Sequence, residues 1–94
     1  MNNYEHIASE IIKYQVKIIG SVVAIGLAEK VKGLSVTNPK NVTVAISGEP
    51  KKVINELVGQ CEFLWGNLGV LECKDASEKL LGLLSSNEIP DRLK

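Results

Sequence analysis

Few residues in this chain could do chemistry. His6 is the only histidine, and Cys61 and Cys73 are the only thiols. Zinc sites draw their ligands from short Cys-x-x-Cys or His-x-x-x-His spacings. Eleven residues separate Cys61 from Cys73, and the lone histidine lies near the other end of the chain, so none of these patterns is met. Nucleophilic catalysis needs a thiol or hydroxyl beside a base that a third group orients, and His6 has no visible orienting partner. Gly66-x-x-Gly69 lacks the Lys-Ser/Thr pair of a phosphate loop and has no strong strand before it. Lys51 and Lys52 open a predicted helix, where an anion could bind, but Glu49 beside them supplies the negative charge itself. The expectation is a non-catalytic chain with no cofactor and no metal site, its two cysteines reduced and buried as small hydrophobes.

Charge narrows the partners. Eleven basic residues balance eleven acidic ones in 94, so no basic excess draws the chain to nucleic acid or to an anionic membrane. The apolar run from Ile18 to Ala28 is eleven residues long, against the roughly 20 that span a bilayer. Neither a secretory signal nor a transmembrane helix is predicted, and a cytoplasmic location is expected. An apolar fraction of 45% with 23% charged residues belongs to an ordered globular chain, and so few aromatics leave the core to Ile, Val, Leu and Ala.

The elements follow from local signals. Asn2 and Glu5 have the spacing of a capping box, and Ile7, Ile11, Tyr14, Ile18, Val22 and Ile25 recur at helical steps. This predicts a long first helix, ending near Lys30 to Gly33 and either kinked or broken at Gly20. Leu34 and Val36, then Val42, Val44 and Ile46, alternate on either side of Asn38-Pro39-Lys40-Asn41, which predicts a β-hairpin. Pro50 starts a helix with Ile54, Leu57, Val58, Cys61, Leu64 and Trp65 on its inner stripe. After Gly66, Val70 to Cys73 reads either as a short strand or as part of one helix from Asn67 to Leu84. The helical reading is favoured, with Leu68, Leu71, Leu80, Leu81 and Leu84 inward and Gly69, Cys73 and Ser77 forming a ridge of small residues. Residues 85–94 have the composition of a tail that docks loosely or frays. The predicted fold is α+β and mainly helical, in the order α-β-β-α-α, with a single globular domain over residues 1–84.

The chain is organised around Ile18 to Ala28, whose only non-apolar positions are Gly20, Ser21 and Gly26. A helix apolar on nearly every side must be enclosed, and a chain of this size has little material to enclose it. Gly20, Ala24 and Ala28, spaced by four, form a ridge along which another backbone could come close, either within the chain or from a second copy. The expected function is therefore a protein–protein interaction or homodimerisation module, of the kind found in regulatory and signalling accessory proteins. Ile18, Gly20, Val22, Ala24, Ile25 and Ala28 are its expected interface. The alternative is a sensor of small apolar ligands, with a pocket between helices and Tyr14, Phe63 and Trp65 at its mouth.

Overall fold

The computed structural model describes all residues from Met1 to Lys94. Its elements are α1 (Asn3–Ile19), α2 (Ser21–Ala28), β1 (Leu34–Asn38), β2 (Thr43–Ile46), α3 (Pro50–Trp65) and α4 (Asn67–Leu81), followed by two single 3-10 turns, Ser86–Glu88 and Asp91–Leu93. This is a mainly helical α+β fold in the expected order. Its radius of gyration is 11.7 Å.

Local chemistry places the ends of the elements. The Asn2 side chain accepts the Glu5 N–H at 2.9 Å, and the Glu5 carboxylate accepts the Asn2 N–H at 3.0 Å, closing the capping box of α1. Glu49 caps α3 through the Lys51 N–H at 3.2 Å, and Pro50 occupies the first helical position, where no N–H is needed. The long first helix is broken rather than kinked: Gly20 has φ +85°, a left-handed conformation that favours glycine. Its N–H still bonds Val16 and its carbonyl accepts from Ala24, so one residue closes α1 and opens α2. Gly66, at φ +65°, does the same between α3 and α4. Val70 to Cys73 is helical, and α4 ends at Leu81.

In the antiparallel hairpin Leu34 faces Ile46 and Val36 faces Val44, with a bulge before the Asn38–Thr43 pair. The outer edge of β2 is sealed by the start of α1. The Val44 N–H meets Met1 Sδ at 3.2 Å, and the Ile46 N–H donates to the Glu5 carboxylate at 3.0 Å. Sealing an edge this way removes a template for unwanted strand pairing. One aliphatic core joins all the main elements: Ile7, Ala8, Ile11 and Ile12 from α1, Val44 from β2, Val53, Ile54, Leu57 and Val58 from α3, and both cysteines.

Residues 85–94 pack back onto the fold. Leu93 is 4% exposed and Pro90 is buried. The Arg92 N–H donates to the Asn55 side chain at 3.1 Å, and its guanidinium meets Glu62 at 2.7 Å. The Tyr4 hydroxyl donates to the Glu88 carbonyl at 2.8 Å. Composition marks a polar segment, but Leu93 lands on the side of α3, and two apolar anchors outweigh the cost of ordering a short strap.

Candidate functional site

Contacts along the helices fix where their ends meet. The Gln15 amide of α1 donates to Cys61 Sγ of α3, and each of these residues stands five positions before its helix's glycine break. His6 and Glu10 of α1 share a cleft with Asp75, Glu78 and Lys79 of α4, and hydrogen bonding to Glu72 raises the titration of the Tyr14 hydroxyl further along, so α4 runs antiparallel to α1. The Gln60 amide donates to the Leu27 carbonyl at 2.8 Å, tying the last turn of α2 to α3, while α2 packs chiefly on α1 and β1. The Gly20 and Gly66 breaks therefore share one end of the molecule.

That end is apolar and open. Val22 is 86% exposed and Phe63 89%; Ile18, Val23, Leu64, Leu68 and Leu71 are all more than two-fifths exposed. Seven of the nine exposed large hydrophobic residues of the chain thus lie within five positions of Gly20 or Gly66. Contiguous apolar surface of this kind marks an interaction site far more often than scattered single residues do.

The six residues expected at the interface divide in two. Ile18, Val22 and the exposed Gly20 belong to the open end, and Ile25 is half-buried. Ala24 and Ala28 are fully buried in the chain's own interior, on the face of α2 turned toward α1 and β1. Two members of the small-residue ridge, Ala24 and Ala28, thus serve an intramolecular crossing while Gly20 stays exposed, and the bulky opposite face of α2 is left outward. On α4, Leu68 and Leu71 point to solvent instead of inward, while Gly69, Cys73 and Ser77 take the buried face. A Cβ on Gly69 would collide with the Cys61 carbonyl oxygen and stand 2.9 Å from its carbonyl carbon. Backbones this close admit only small residues between them, which rolls the leucines outward. Phe63, Leu64, Leu68 and Leu71 were not expected in an interface. Their common signal is proximity to Gly66, which matters only once Gly66 is known to sit beside Gly20.

The other candidate groups are scattered. His6 is exposed near the opposite end of α1, away from both cysteines. No cluster of three His, Cys, Asp or Glu side chains could hold a metal ion. Glu49 occupies the N-terminus of α3 with its own carboxylate, beside Lys51 and Lys52. Four surface clefts of about 290 to 500 Å³ are lined mostly by polar and charged residues; Trp65 and Phe63 line none of them, and Tyr14 lines one, with Lys13, Lys17 and Lys40.

Cys61 and Cys73 are both free and buried. Hydrogen bonding from the Cys73 thiol, helped by the Gln15 amide, pulls the Cys61 thiol below its ordinary range against the opposing effect of burial. Cys73, as donor to Cys61 in a buried site, is pushed up. The second polar atom of the Gln15 amide, Oε1, is buried without a partner.

No helix is long and apolar enough to cross a membrane. No protein-family model, no curated protein and no solved structure matches this chain.

Proposed function

We propose that the protein is a non-catalytic interaction module that assembles with a second copy of itself through the apolar end built around Gly20 and Gly66. The observation that carries this reading is α2: an eight-residue helix of sequence Ser-Val-Val-Ala-Ile-Gly-Leu-Ala, of which only Ala24 and Ala28 are buried in the single chain. The seven residues are 42–89% exposed, and together they offer apolar area on the order of the several hundred Å² that marks an interaction site. A standard interface takes about 800 Å² from each partner.

Self-association fits the chemistry of the surface. A twofold axis sets the same patch against itself, so any charge at its centre would meet its own copy. Between Lys17 and Glu29 there is no charge, and the exposed members from α3 and α4 are Phe and Leu. Apart from Ser21 and Asn67, exposed beside the two glycines, the surface is apolar, and an uncharged apolar surface complements its own copy.

Light scattering on a sizing column over a hundredfold concentration range tests the proposal. The expected mass is twice the 10.2 kDa of one chain. Val22→Asp, at a position too exposed to support the monomer's core, should give the single-chain mass with unchanged helical circular dichroism. A native chain that elutes as a monomer at every concentration would overturn the reading.

A further inference from the structure

Cys61 and Cys73 are the only thiols in the chain, and the fold brings them together across the α3–α4 hairpin. In a helix each Cα–Cβ bond tilts toward the N-terminus. The Cys61 side chain therefore leans away from the Gly66 turn. Cys73, on the antiparallel partner helix and one turn beyond the Gly69–Cys61 crossing, leans back toward that turn. Gly69 sets the α4 backbone against Cys61, and Cys73 follows one turn later on the same buried face of α4, so the two tilts direct the thiols toward one another. From the other side, the Gln15 side-chain amide donates to Cys61 Sγ. The surroundings are aliphatic, with the thiols 2% and 4% exposed.

We propose that Cys61 and Cys73 form a reversible dithiol–disulfide site, oxidised by a peroxide, with Cys61 as the attacking thiol and Cys73 as the resolving one. The Cys61 sulfur, deprotonated, attacks one peroxide oxygen. The O–O bond breaks, a sulfenic acid forms on Cys61, and the departing oxygen leaves as water after taking up a proton. Cys73 Sγ then attacks the Cys61 sulfur, an S–S bond replaces S–O, and the hydroxyl leaves with the Cys73 proton as a second water. Two thiols lose two electrons, which the peroxide gains. The order of roles follows from the surroundings: Cys61 Sγ accepts the Gln15 amide, a hydrogen bond that favours its anion, whereas burial acts against an anion on Cys73. Entry of the peroxide requires a local opening of α4 from α3, and a neutral disulfide suits an aliphatic core better than a thiolate does.

The test uses the full chain and hydrogen peroxide, followed by alkylation under denaturing conditions and mass spectrometry. Expected is the joint loss of both thiols, a mass lower by two hydrogens, a crosslinked peptide joining Cys61 to Cys73 within one chain, recovery with a dithiol reductant, and a higher thermal midpoint for the oxidised form. Full alkylation of both cysteines after exposure, disulfides only between chains, or independent conversion of each thiol to its higher oxides would overturn the proposal. In Cys73→Ser, dimedone should trap a sulfenic acid at Cys61; in Cys61→Ser, the same exposure should leave Cys73 unlabelled. Equal labelling in the two variants would refute the assignment of roles.

Discussion

Replacing Gly69 by Ala asks whether α3 and α4 really touch at their backbones. Inside a solvated helix the change would stabilise the protein by roughly 1 kcal/mol, because Ala loses less backbone entropy than Gly. Here the added methyl carbon would collide with the Cys61 carbonyl oxygen and lie 2.9 Å from its carbonyl carbon, and both of these atoms are main chain. Neither can rotate away, so α4 must move off α3 by about 1 Å, loosening Cys73 and the core residues beside it. Overpacking of this kind costs about 1–3 kcal/mol, and the loss of close contact adds to it. Net of the helix-propensity gain, the expected destabilisation is about 2 kcal/mol, or roughly 10 °C in thermal midpoint for a chain of this length. Gly82→Ala is the matched control. Gly82 has φ −64° and ψ −16°, and its nearest neighbour would be the Lys79 carbonyl oxygen at 3.5 Å, so Ala should be neutral or stabilising by up to about 1 kcal/mol. Urea unfolding at fixed protein concentration, followed by helical circular dichroism and by the fluorescence of Trp65, measures both. If Gly69→Ala is as stable as the native chain, the close crossing is wrong, and with it the reason given for the outward turn of Leu68 and Leu71.

Two further outcomes follow from the termini. Glu5 accepts hydrogen bonds from the Asn2 and Ile46 backbone N–H groups, and these hold its carboxyl below the usual value of 4.5. A carboxyl depressed on folding adds stability that is present above its unfolded pKa and is lost as pH falls through the folded one. Stability should therefore decline on acidification below about pH 4.5, and Glu5→Gln should flatten that limb in urea midpoints taken across the acid range; parallel profiles for the two proteins would refute it. Leu93→Ala should cost about 2–3 kcal/mol, as for a buried leucine, where a frayed tail would give less than about 0.5. Thermal denaturation of the variant separates the two values.

Much of the secondary structure was legible because its causes are local. The Asn2–Glu5 box, Pro50 at the start of α3 and the alternation around Asn38 to Asn41 each act within four residues, so a one-dimensional reading sees both partners. Val70 to Cys73 was open between strand and helix because a short apolar run satisfies either period. The apolar character of residues 18–28, and hence the expectation of something to cover it, was also explicit in composition.

The sequence by itself determined that the chain is mainly helical with one hairpin, where glycine permits a break, and that the segment from residue 18 to 28 is apolar on nearly every side. Only the tertiary structure decided which face of each helix is turned inward. α4 carries two stripes, one of leucines at 68 and 71 and one of small residues at 69, 73 and 77, and the periodicity of each is equally helical. The choice depends on how closely α3 approaches, a distance set by Gly69 against Cys61 and by no pattern along α4 itself. The same holds for α2, where Ala24 and Ala28 admit α1 and β1 at short range and leave Val22 and Val23 outside. Periodicity names the candidate faces of a helix; the separation of neighbouring backbones, a property of the packed assembly, selects among them.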